Sequence, residues 1–111
     1  MQQETAFKPE YDGCWVRVAP GVERMIMGYN ETLMMLKVKF EKNAIGEMHA
    51  HPHIQSSYIA RGSFEVTING ATRLLHEGDC FFVESNLVHG VVCVADGILI
   101  DAFNPCREDF L

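Results

Sequence analysis

Ser63-Phe64-Glu65-Val66-Thr67-Ile68-Asn69-Gly70-Ala71-Thr72-Arg73-Leu74-Leu75 is the stretch that decides the fold. Phe64, Val66 and Ile68 alternate with Glu65 and Thr67, which is the period-two pattern of a half-buried strand. Asn69 and Gly70 both tolerate positive φ, so the pair is the strongest short signal for a tight hairpin into residues 71–75. Upstream, residues 33–40 repeat the pattern: Met34, Leu36, Val38 and Phe40 share one face, Lys37 and Lys39 the other. Turn residues recur at 76–79, 85–87 and 95–97, a strand spacing of about ten residues. Short strands at that spacing predict an all-β sandwich or barrel. No stretch has a helical period, and none is a repeat or of low complexity. Residues 1–12 are expected to be a loose N-terminal arm or an edge strand.

Length and charge narrow the function. The 111 residues leave room for a single domain and a single core, residues 1–111, with no second catalytic or DNA-binding unit. Fifteen acidic against nine basic residues give a net charge of -6, which repels nucleic acid and anionic membranes. The apolar runs are too short to cross a bilayer, and residues 1–10 lack a basic segment followed by an apolar one, so a soluble, cytoplasmic protein is expected. Cys14, Cys80, Cys93 and Cys106 show no CxxC pairing, so they read as reduced thiols, three of them buried or partly buried.

Residues 49–53 hold three imidazoles, His49, His51 and His53, with Gln55 two positions on and His89 further along. In extended chain the three histidines would point the same way, because strand side chains alternate faces. Imidazole nitrogens with an amide oxygen suit nickel, zinc, iron, manganese or copper, so the expected cofactor is one divalent transition metal of open identity.

The last strand-like segment carries an acid where apolar residues dominate. Leu99, Asp101 and Phe103 share a face, and Ile98, Ile100 and Ala102 share the other. Asp101 either points to water at an edge or lies inward as a general acid or base, its pKa raised by apolar walls or lowered by a cation. Arg107 is a solvated charge on an exposed tail, or, if the tail folds back over a barrel mouth, a fork for a substrate carboxylate.

The histidine run resembles the first cupin motif. His49, one spacer, His51, three spacers, Gln55, six spacers and Gly62 match it, with Gln in the place usually held by Glu. Gly78, Glu84, Asn86 and His89 fall at the second motif's Gly, Pro, Gly and His, and Asn86 is the residue that best replaces Gly in a left-handed turn. Starting the first motif at His51 instead would put Ser57, a poor ligand, near the Glu position and break the glycine spacing. The resemblance implies a single-domain cupin, a double-stranded β-helix or jelly-roll barrel, with His49, His51, Gln55 and His89 holding the metal and His53 at its rim. Four neutral ligands leave the ion its full charge, favouring Lewis-acid chemistry on anionic oxygens.

Beyond the motifs, residues 22–111 are similar to the small pectin-degradation cupins of the KdgF type. The similarity lies in Gly28-Tyr29-Asn30, residues 38–42, 49–53, 62–70 and 89–93, and the ending Arg107-Glu108-Asp109-Phe110-Leu111, with Ile54 and Glu84 as departures. It implies linearisation of 4,5-unsaturated monouronates released from pectin or alginate, Asp101 as the catalytic acid and Arg107 as the substrate's carboxylate partner. Phe103 and Tyr58 are candidate walls of the substrate pocket, each equally readable as ordinary packing. The expected partner is a small anionic sugar, and the expected assembly a homodimer paired through edge strands. Competing functions are a metal-dependent dioxygenase, which oxygen uptake would reveal, or a sugar isomerase, and a non-catalytic sugar-acid binding cupin.

Overall fold

A computed structural model describes residues 6–111. The chain runs through β1 (Val16–Ala19), β2 (Val22–Tyr29), β3 (Met34–Phe40), β4 (Ile45–His49), β5 (Ile54–Ile68), β6 (Ala71–His76), β7 (Cys80–Val83) and β8 (His89–Asn104). All pairings are antiparallel. The hairpin predicted at Asn69-Gly70 is present: Ile68 faces Ala71, and the two turn residues have φ of 49° and 84°. Residues 34–40 form the alternating strand expected, with Met34, Leu36, Val38 and Phe40 buried.

β5 and β8 exceed the usual strand length of about 3–10 residues because each serves two layers. The first half of β5 and the second half of β8 lie together between β3 and β7, and β2 and β1 extend this layer beyond β3. The second half of β5 and the first half of β8 pair with β6 and β4 respectively. The architecture is a barrel, one of the two all-β forms the strand spacing predicts, and of the jelly-roll kind that the cupin resemblance implies. Residues 95–97, expected as a turn between strands, are instead a bend within β8, opposite register irregularities between Ile59 and Phe64 of β5. Gly62 makes that bend possible: its φ is +81°, and a Cβ there would lie 2.4 Å from the carbonyl oxygens of Ala95 and Asp96. The two long strands therefore turn the corner as a nested pair.

Phe64, Met34, Leu36, Ile59 and Val83 are fully buried between the layers, and Phe40 meets Phe64 edge to face at 5.2 Å. Burial separates the cysteines into two inside, Cys93 and Cys106, and two exposed, Cys14 and Cys80, one fewer inside than expected; all four are free. Of the N-terminal arm, residues 1–5 lie outside the described residues; Glu10–Asp12 form one turn of 3-10 helix, not an edge strand, and Glu10 pairs with Lys37 of β3. A second such turn, Glu108–Phe110, ends the chain. No helix among the described residues is long and apolar enough to cross a membrane.

Candidate active site

Three segments bring histidines to one end of the barrel. β4 ends at His49, and β8 opens at His89, its register partner. His51 lies in the connection between β4 and β5, so the strand alternation expected over residues 49–53 stops at His49. Pro52 has no N–H to give a ladder, and the connection is held instead by Asn86, whose N–H donates to the His51 carbonyl at 2.8 Å. Asn86 adopts φ of 66°, the left-handed turn for which it was a natural substitute. The turn before His89 thus also fixes the loop carrying His51.

The imidazole centroids lie 4.4 Å apart for His49 and His89, 4.7 Å for His51 and His89, and 5.3 Å for His49 and His51. One nitrogen from each of the three falls within 4.8 Å of the others. Each ring places Nδ1 on a backbone carbonyl: His49 on Glu47 at 2.7 Å, His51 on His53 and His89 on Leu87, both at 2.9 Å. A carbonyl only accepts, so Nδ1 carries the hydrogen and Nε2 of the neutral ring presents a lone pair. Burial, the leading cause, pushes the His51 and His89 pKa values below the ordinary imidazole value, which keeps these rings neutral.

Gln55 completes the cluster. Its Oε1 lies 3.0 Å from His51 Nε2 and 3.1 Å from His89 Nε2, so an amide oxygen meets two ring lone pairs. Converging acceptors repel one another unless a cation lies among them, and nitrogen and amide oxygen donors suit a divalent transition ion. His49, His51, His89 and Gln55 therefore fit a metal on donor chemistry and tautomer alike. His53 is not in this convergence; its carbonyl orients His51, its ring stands 5.6 Å from the His51 ring, and its Nδ1 is buried with no hydrogen-bond partner among the described residues.

From Gln55 a hydrogen-bonded chain runs inward. Gln55 Nε2 donates to Ser57 Oγ at 2.9 Å, and Ser57 Oγ donates to Asp101 Oδ1 at 2.6 Å. Ser57 and Asp101 are register partners on β5 and β8, and both side chains face the interior. Asp101 thus lies inward rather than at an edge. Burial raises its pKa from 3.8 to about 6, against the opposing effects of the Ser57 hydrogen bond and the Arg107 cation. From sequence Ser57 is weighed only as a poor metal ligand in the alternative register; its i, i+2 spacing from Gln55, which puts the two side chains on one strand face, is the signal for the role seen here.

The C-terminal tail does fold back. Arg107 is 8% exposed, and its guanidinium lies 5.2 Å from the Phe103 ring and 4.1 Å from the Phe110 ring. Arg24 covers Phe110 at 3.8 Å. Phe103 itself packs edge to face on His51 at 5.7 Å, so it joins the histidine cluster to the arginine. Arg107 already donates to both oxygens of Asp109, from Nε at 3.1 Å and Nη2 at 2.9 Å, a pairing not foreseen from sequence. A substrate carboxylate must share the guanidinium with Asp109 or displace it. Tyr58 does not reach the site: it alternates with the inward Ser57 and Ile59, is 45% exposed, and lies on the outer face of β5. Its place on the exposed face of the strand excludes it as a pocket wall.

The Cupin domain family model matches residues 36–100, which hold the three histidines and Gln55. The chain belongs to the cupin family. Within it, the similarity to KdgF-type cupins covers nearly the whole chain. The pectin degradation protein KdgF of Dickeya dadantii is 46% identical over 99 residues, spanning 87% of this chain and 90% of that protein. The structure of KdgF from a Halomonas species superposes with a TM-score of 0.92 at 36% identity, covering 97% of this chain and all of that one. An RmlC-like cupin from Shewanella frigidimarina superposes at 0.97 with 42% identity over the full length of both chains.

Proposed function

We propose that this cupin is a metal-dependent enzyme that opens and ketonises 4,5-unsaturated monouronates released from pectin or alginate. The observation that carries the reading is the buried Asp101 carboxyl, with a pKa of about 6, linked through Ser57 to Gln55 and the imidazole cluster and felt by the Arg107 cation. The 46% identity to a pectin degradation protein supports the substrate class.

His49, His51, Gln55 and His89 would hold the ion, which supplies Lewis-acid polarisation of substrate oxygens when bound. In the reaction the hemiacetal hydroxyl at C1 loses its proton, the bond between C1 and the ring oxygen breaks, and its electron pair leaves an enolate at C5. Protonation at C4 then gives the open-chain keto acid, with no change in composition. Asp101 is the proton donor to C4: a carboxyl raised to about 6 retains a useful protonated fraction near neutrality, where an ordinary aspartate would not. Arg107 binds the C6 carboxylate, and its share in Asp109 makes that binding an exchange of one carboxylate for another. Phe103 walls the ring between His51 and Arg107 and keeps water from the developing charge.

The test is the ultraviolet absorbance of the conjugated double bond in an unsaturated monouronate, followed with metal-loaded protein. Its loss should greatly outpace the spontaneous rate without oxygen uptake. Decay at the spontaneous rate would sink the proposal.

A further inference from the structure

Ser57 is 1% exposed and stands between the amide that faces the histidines and the acid behind it. A hydroxyl has a single proton, and an ionised carboxylate can only accept. Because Ser57 directs its proton to Asp101, its oxygen must be approached by a donor on the Gln55 side. The Gln55 NH2 group is such a donor, at 2.9 Å. With the NH2 held there, the other end of the amide, Oε1, is turned to His51 and His89. With Asp101 ionised, a glutamate at 55 would compete with it for the one hydroxyl proton, whereas the amide gives to the hydroxyl and competes for nothing.

We propose that Ser57 is the positioning residue of the site, setting the amide of Gln55 with its oxygen toward the histidines, and that the Ser57–Asp101 hydrogen bond is why an amide stands at 55. The inference rests on the metal site of the proposed function and adds a direction to it: Gln55 gives to Ser57, and Ser57 gives to Asp101. Losing the hydroxyl frees the amide to rotate and leaves two buried polar groups short of a partner. Neither effect requires a change in the fold, because alanine fits wherever serine does.

Calorimetric titration of chelator-treated full-length protein with zinc(II) tests the positioning directly. Ser57→Ala should bind zinc about 10–100-fold more weakly than the unsubstituted protein, the usual effect of removing a group that orients a ligand. Ser57→Cys fills the same space with a weak donor and should show the same direction of loss; it serves if the alanine protein cannot be titrated. A second readout separates positioning from packing. In turnover of the unsaturated uronate, the limb lost as Asp101 ionises should move to higher pH in Ser57→Ala, and likewise in Gln55→Glu, where the hydroxyl is contested. Zinc affinity equal to that of the unsubstituted protein in Ser57→Ala or Ser57→Cys overturns the inference while leaving the proposed function standing, as does an unmoved pH limb in Gln55→Glu. Failure of the unsubstituted protein to bind zinc, nickel, iron or manganese overturns the metal site itself.

Discussion

Replacing Asp101 by asparagine should make the protein more stable and nearly inactive at once. The carboxyl is buried and its pKa stands at about 6 rather than 3.8. At about 1.4 kcal/mol per pH unit, ionising it inside the fold costs about 3 kcal/mol more than ionising it in the unfolded chain. The sign follows from proton counting. Between about pH 4 and 6 the folded protein holds a proton that the unfolded chain has released, so stability falls as pH rises through that window and stays lower above it. Asparagine carries no charge at any of these pH values, and its Oδ1 can still accept from Ser57. Asp101→Asn should therefore match the original protein near pH 4 and exceed it by about 1–3 kcal/mol at pH 8, the lower figure allowing for a weaker hydrogen bond. For a chain of this size, that raises the melting midpoint by several degrees. Metal-free protein scanned calorimetrically from pH 4 to 8 gives the stability, and the absorbance assay gives the rate, expected to fall about 10²–10⁴-fold. A variant that keeps more than a tenth of the activity, or whose stability advantage does not grow with pH, refutes the argument.

Three other substitutions probe the remaining parts. His89→Ala removes one of the three converging rings and should abolish stoichiometric zinc retention after dialysis, measured by elemental emission; full retention would place the ion elsewhere. Arg107→Ala should raise KM for the anionic sugar about 10–100-fold, since a hydrogen bond to a charged group contributes about 1.5–3 kcal/mol; an unchanged KM assigns the carboxylate to another partner. Gly62→Ala combines a left-handed φ of +81° with contacts of 2.4 Å to two carbonyl oxygens, so a loss above about 3 kcal/mol in urea unfolding is expected. A loss under about 1 kcal/mol would mean that the bend of β5 and β8 can relax around a side chain.

Much of the fold was legible because a strand records its environment locally. The alternation in residues 34–40 and the Asn69-Gly70 hairpin needed only neighbours in sequence to be read. Bends inside long strands are different. Residues 95–97 carry the small and polar composition of a turn, yet they continue β8, because the partner that bends with them is Gly62, more than thirty positions earlier in sequence. The same limit explains Tyr58 and Ser57. Their parity could be read relative to Gln55, but which face looked inward depended on packing against β7 and β8.

Residue identity and spacing alone determined the all-β class, the ligands His49, His51, Gln55 and His89 as candidates, and Asp101 as an acid among apolar neighbours. Those features are carried by side-chain chemistry and by periods of two, which a linear chain displays. Tertiary structure decided the rest: that His51 reaches the cluster from a loop tied to Asn86, that the Nδ1 of each of His49, His51 and His89 is occupied by a carbonyl, that Asp109 shares Arg107, and that Ser57 connects the amide to the acid. Each of these is a hydrogen bond whose direction depends on three-dimensional approach, and Ser57 and Asp101 meet across 44 positions of sequence only because β5 and β8 lie side by side.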